Sequence, residues 1–208
     1  MAHTQYVDKA DLKTYLGLSG TAQDTNIDNA INGASRQIDK FCDRRFWQDE
    51  TVQVKYYNPT NDFYLIVDDI STTTGLIVQL DTTDDGTYDT TLTLDTDYIL
   101  KPINPQIHKI SDTTYYYPQN ELHIIATRSS ERFDPLIIKN VKITAKFGWS
   151  KVPEAISQAC LIQATRLFKR KDTPFNVMGN EQTGTIELFN KFDVDARELI
   201  KPYKLHTL

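Results

Sequence analysis

The chain's 208 residues are 39% hydrophobic, 11% aromatic and 25% charged, with a formal net charge of -5. That length buries a core without disulfide or metal staples, and the mixture excludes a disordered chain, which would be poorer in apolar and aromatic residues. The longest apolar runs, such as residues 63–67 and 136–138, fall far short of the roughly 18 residues that read as a membrane span. The first residues lack a basic stretch followed by an apolar one, so no secretory signal is read there and assembly in the cytoplasm is expected.

In chain order, Asp8 is placed to cap a short helix with Asp11 in its first turn, Leu12, Tyr15 and Leu16 on one face, and Gly17 as its stop. A second helix begins near Thr21 or Asp24. Its apolar positions Ile27, Ala30, Ile31, Ala34, Ile38 and Phe41 keep the three-or-four spacing of an amphipathic helix. From Thr51 the period becomes strand-like. Residues 52–56, 63–67, 76–80 and 88–94 are rich in β-branched and aromatic side chains, and Asp84-Asp85-Gly86 predicts a tight hairpin between the last two. Further strands are expected at residues 98–100, 122–126 and 139–147. Pro102, Pro105, Pro118 and Pro135 suit loops and edges between them.

Helix returns with Pro153 at a first helical position, and Ile156, Ala159, Cys160, Gln163, Leu167 and Phe168 mark its face to about Lys171. Residues 172–185 read as a loop because of Pro174, Gly179 and Gly184, and residues 185–189 as a short extended piece. Asp193 caps a final helix carrying Ala196, Leu199 and Ile200, which Pro202 ends. The expected fold class is α+β: a small helical bundle formed by residues 1–50 and 150–208, with a large antiparallel β insertion at 51–149.

Residues 51–149 carry 13 acidic against 8 basic side chains, a poor balance for neutralising phosphates, whereas residues 150–208 carry 7 against 9. Cys42 and Cys160 fall on apolar helical faces as small buried hydrophobes, without histidines at zinc-ligand spacing. Asp81, Thr83, Asp85 and Gly86 imitate the start of a calcium loop, yet the twelfth position is Leu92 where a glutamate is needed, so a hairpin turn is the reading. His3, His108, His123 and His206 are scattered, with His123 expected half-buried in a strand. No nucleophile elbow, phosphate loop or Cys-x-x-Cys occurs, and neither catalysis nor a cofactor is expected. The run Tyr115-Tyr116-Tyr117 beside Pro118 reads as a loop anchored on the sheet. Its rings also suit stacking on sugars, which keeps a second function class in view: a β-sandwich ligand-binding module for carbohydrate on a helical base.

Three stretches together resemble the head-tail connector (adaptor) family of long-tailed bacteriophages. The first runs from Tyr6-Val-Asp-Lys-Ala-Asp-Leu-Lys-Thr-Tyr-Leu-Gly-Leu18 through Ala34-Ser-Arg-Gln-Ile-Asp-Lys-Phe-Cys42 to Arg44-Arg45-Phe46. The second is Val141-Lys-Ile-Thr-Ala-Lys-Phe-Gly-Trp149 with Val152-Pro153 and the helix from Ala155 to Arg170. The third is Asp172-Thr-Pro-Phe175 to Gly179, with Leu199-Ile-Lys-Pro-Tyr203. The resemblance implies a virion structural protein at the head-tail interface. It would form a homo-oligomeric ring, dodecameric in the virion, beneath the portal protein and above head-closure or tail proteins, with genomic DNA passing through without sequence-specific binding. By the same analogy the loop at 172–185 and the C-terminal tail are expected to contact partners, with Phe175, Met178, Pro202, Tyr203 and Leu205 among the contact residues. The basic helix end Arg166, Lys169, Arg170 and Lys171 is a further candidate for partner binding: it reads as a solvated terminus or as facing an acidic patch on a neighbouring subunit, with contact to DNA in the channel as the other reading. The insertion at 51–149 departs from the smallest members of the family.

Overall fold

The structure is a computed structural model that describes residues 5–110, 113–170 and 192–205, with backbone alone at 108–110. The fold is α+β. It divides into two compact units: one holds the chain up to Phe46 and again from Val152, and the other is Trp47–Lys151.

In the first unit, α2 (Asp24–Cys42), α3 (Glu154–Lys169) and α4 (Val194–Ile200) bury one face each, and α1 (Lys9–Leu16) buries Leu12. The face predicted for the second helix is the observed one: Ile27, Ile31, Ala34 and Ile38 of α2 are fully buried, as are Ile156, Ala159, Cys160 and Ala164 of α3 and Ala196 and Ile200 of α4. Burying each large aliphatic side chain contributes about 1.5–3 kcal/mol. Gly33 lets α2 and α3 approach closely, since a Cβ there would lie 3.3 Å from Leu167 Cδ1. Two buried polar side chains are satisfied between elements. Ser35 Oγ donates to Ile31 O and accepts from Tyr6 N. Gln163 donates to Gln37 Oε1 at 2.6 Å and accepts from Asp193 N at 2.9 Å.

Helix ends follow the sequence with small corrections. Gly17 closes α1 in the left-handed conformation (φ 67°), but Asp8, at the N-cap, makes no side-chain capping bond. Asp193 does cap α4, accepting from Asp195 N and Ala196 N. Pro153 is the N-cap of α3 and not its first helical residue, because its ψ of 145° is extended. The helix ends at Lys169, two residues short of the predicted Lys171. Pro202 lies within a single 3-10 turn, Lys201–Tyr203, that follows α4. The loop expected at 172–185 and the extended piece at 185–189 lie outside the described residues.

The second unit is an antiparallel sheet of β1 (Gln53–Tyr57), β2 (Tyr64–Leu80), β3 (Thr90–Leu92), β4 (Tyr98–Lys101), β7 (Gln119–Ile124) and β8 (Val141–Phe147). The order is β1-β8-β2-β7-β4, with β3 also paired to β2. One face forms the core, including Leu65, Val67, Val78, Leu80, Leu100, Leu122, Ile143 and Phe147. Four expectations are corrected here. The segments read as separate strands at 63–67 and 76–80 belong to one strand, β2, because β8 pairs along it across the polar stretch that separates them, with register shifts on either side of Thr72. The tight turn at Asp84-Asp85-Gly86 is instead a longer loop, residues 81–89, since Leu80 already pairs with Thr90. The last long strand starts at Val141, because Lys139 has positive φ (59°). Finally, Tyr115 and Tyr116 are not in a loop but in β6 (Thr113–Tyr116), which pairs with β5 (Ile107–Ile110) in a separate two-stranded sheet.

Candidate functional site

In the helical unit the sequence singled out a basic helix end and a C-terminal tail. Arg166 is engaged internally, its Nη1 3.6 Å from the Asp193 carboxylate at the start of α4. Lys169 and Arg170 are exposed at the end of α3, a basic terminus that complements the negative end of the helix dipole. The tail folds back on α2: Leu205 N donates to Cys42 O at 2.8 Å, and Tyr203 meets Phe46 edge-to-face at 5.9 Å. Pro202 is exposed. Lys171, Phe175 and Met178 lie outside the described residues. Of the expected contact residues, Lys169, Arg170 and Pro202 are solvent-exposed, while Tyr203 and Leu205 serve the unit's own packing.

Residues 5 and 6 are fastened to α2 by a polar clamp. The Tyr6 hydroxyl donates to Asp39 and accepts from Phe46 N at 2.9 Å. Burial pushes the Tyr6 phenol and the Asp39 carboxyl above their ordinary values, and the Tyr6 hydrogen bond opposes the rise at Asp39. The same burial raises the thiols of Cys42 and Cys160, to about 12 and about 11. These groups hold the fold together and are poorly disposed to act as nucleophiles.

The β unit contains a cleft of about 410 Å³ where the irregular part of β2, the end of β8 and β6 converge. Ser71 and Thr74 come from β2, Thr114 and Tyr115 from β6, and Lys146 from β8. Gln48 Nε2 donates to Ser71 Oγ at 2.6 Å, and Ser71 Oγ donates to Lys146 O at 2.7 Å, which fixes the floor. Among the described residues the lining contains one lysine, no carboxylate and many hydroxyls. Sequence reading missed it because its walls come from separate segments. The only local signal is the alternation Lys142-Ile143-Thr144-Ala145-Lys146, which puts both lysines and Thr144 on the face opposite the buried Ile143 and Ala145.

At the far end of the same strand pair, residues 81–89 form an ordered acidic loop. The buried Asp81 carboxylate accepts from Thr83 N and Gly86 N, and Asp85 accepts from Thr87 N at 2.7 Å, which holds the Asp85 carboxyl below its usual value. Tyr88 anchors the base by donating to Lys139 O at 2.7 Å, and its ring lies tilted against Tyr56 at 5.6 Å, with the Lys142 ammonium 5.3 Å from its ring. Asp84, Asp85 and Asp89 stay exposed. The carboxylates resembling a calcium loop thus accept hydrogen bonds from the loop itself. His123 is half-buried in β7, stacked on Tyr64 and 2.9 Å from Glu121.

No family model matches the chain, and no curated protein matches it. Solved structures do. The chain is similar over 100% of its length to a chain described as the neck of an empty gene transfer agent (GTA) particle computed with C6 symmetry, covering 94% of that chain at 12% identity with a TM-score of 0.50. A chain from the virion of a native GTA particle matches with the same coverage and TM-score at 14% identity. The two-part fold described above is thus shared with a component of a GTA particle neck.

Proposed function

We propose that the chain is a structural neck protein of a tailed phage or phage-like particle, a head-tail connector without catalytic activity. The observation that carries this reading is the fold likeness to a neck chain over 100% of this chain and 94% of the other, β unit included. The proposed assembly is a homo-oligomeric ring, dodecameric in the virion, built from repeated heterologous contacts that close on themselves. It would sit beneath the portal protein, assemble in the host cytoplasm and join the head to head-closure or tail proteins. Genomic DNA would pass through without sequence-specific binding. The surplus of acidic side chains at 51–149 suits a passage that does not grip phosphates. The exposed Lys169, Arg170 and Pro202 are the proposed portal-side contacts, together with Lys171, Phe175 and Met178.

The test is native mass spectrometry of the protein mixed with the portal protein of the same genome. Stoichiometric addition of a ring to the portal is expected. Failure to bind across a wide range of concentration and salt would refute the connector role.

A further inference from the structure

The acidic loop and the lysine-bearing cleft of the β unit are complementary in charge and stand at opposite ends of one strand pair. Leu80, from which the loop departs, pairs with Val141, whereas Thr72 and Lys146 at the cleft pair with one another. Val141 and Lys146 are five positions apart on β8, about 17 Å at the rise of a strand. None of residues 81–89 lines the cleft of its own chain. We propose, resting on the ring reading above, that the loop at 81–89 of one copy seats in the Lys146 cleft of the next.

Three observations carry this. A heterologous contact needs two different patches on separate parts of one subunit, each fitting the other, and these two are so placed. Among the described residues the cleft lining includes a lysine and hydroxyls and no carboxylate, within a segment otherwise rich in acid, so it complements this protein's own acidic loop. The loop is preorganised by Asp81, which lowers the ordering cost of docking its exposed Asp84 and Asp85. A cleft of about 410 Å³ also falls within the roughly 300–1,000 Å³ of built ligand sites. The acceptors would be Asp84 and Asp85. The donors would be Lys146 Nζ and the hydroxyls of Thr74 and Thr114, with the Tyr115 ring as a wall.

The experiment is charge reversal in the full chain, read by native mass spectrometry of rings formed alone or on the portal. Circular dichroism would check that each variant remains folded. Lys146→Glu, and separately Asp84→Lys with Asp85→Lys, are expected to weaken ring formation at least tenfold, and the combined protein to recover most of it. A second readout mixes Asp85→Cys protein with Lys146→Cys protein and expects an intermolecular disulfide between the two, with no competition from the buried Cys42 and Cys160. Rings that form equally well in all charge variants, without the crosslink, would overturn this contact and leave the connector reading standing. If the unaltered protein forms no ring alone or on the portal, both readings fall.

Discussion

A β-carbon on Gly148 would stand 1.9 Å from the carbonyl oxygen of Trp47. Gly148 also has φ of 98°, a conformation that side chains with a Cβ rarely adopt, and its N–H donates to Asp69 O at 2.7 Å. Backbone strain and a backbone clash therefore act at one position. Gly148→Ala should destabilise the β unit by about 3 kcal/mol or more. Gly86 has a similar φ of 81° but open space around it, so Gly86→Ala should cost only about 1–2 kcal/mol. Urea unfolding of the two variants separates clash from conformation; equal losses would show that the Trp47 contact is relieved without cost.

The Tyr6 clamp should give a pH-dependent mutation. Tyr6→Phe leaves Phe46 N and the half-buried Asp39 without the hydroxyl, and a loss of about 1–3 kcal/mol is expected at neutral pH. Burial raises the Asp39 carboxyl above its ordinary 3.8, so the folded state binds that proton more tightly. Its associated stability is fully present below 3.8 and is lost as pH rises through the higher folded value. Removing the Tyr6 donor raises that value further. The cost of Tyr6→Phe should therefore be smaller in acid, where Asp39 is neutral, and grow toward neutral pH. A cost independent of pH between 3.5 and 7 would mean that the bond does not favour the carboxylate.

Why some of this was legible in sequence and some was not follows from where the information lies. The α2 stripe from Ile27 to Ile38 is local and periodic, and the structure buries those residues. The long strand β2 is not local: residues 71–75, Ser-Thr-Thr-Thr-Gly, look like a break, and only pairing with β8 draws them into the strand. The hairpin of β5 and β6 is flanked by Pro105 and Pro118, which argue for loop when read alone. The Lys146 cleft combines β2, β6, β8 and Gln48, a juxtaposition that no window of neighbouring residues contains.

Two aspartates at helix N-caps should behave differently. Asp193 accepts from Asp195 N and Ala196 N and lies beside Arg166, so Asp193→Ala should cost about 1 kcal/mol or slightly more. Asp8 makes no such bond, and Asp8→Ala should remain within about 0.5 kcal/mol, the scale of a surface charge near a helix end. Parallel denaturant titrations decide it. Equal effects would show that helix-dipole attraction, and not the hydrogen bonds, dominates at Asp193.

Thiol chemistry should report opening of the helical unit. Burial pushes Cys42 to about 12 and Cys160 to about 11, and the thiolate is the reactive form. At pH 8 an aromatic disulfide reagent should label both at least about a hundredfold more slowly in the folded protein than in urea, relative to an ordinary thiol near 8.5. Rapid labelling of the native chain would show that α2 or α3 opens without global unfolding.

The last prediction concerns the support of the acidic loop. Asn140 is buried, its Nδ2 donating to Asp81 O at 2.8 Å and its Oδ1 accepting from Asp134 N at 3.0 Å, while Asp81 N returns a bond to Asn140 O at 2.9 Å. Asn140→Ala strands a carbonyl and an N–H together, at a cost of about 2–4 kcal/mol. Asn140→Asp keeps the shape but sets a carboxylate oxygen against Asp81 O where an amide stood, so its loss should be greater at neutral pH than in acid, where the new carboxyl can be protonated and donate. In either variant the loop at 81–89 should exchange its amide hydrogens faster, because Asp81, which accepts from Thr83 N and Gly86 N, then keeps only its backbone N–H bond to residue 140. Exchange measured by mass spectrometry checks this peptide by peptide. Unchanged protection across the loop, with global stability lowered, would locate the role of Asn140 in the core alone and make the loop's order self-sufficient.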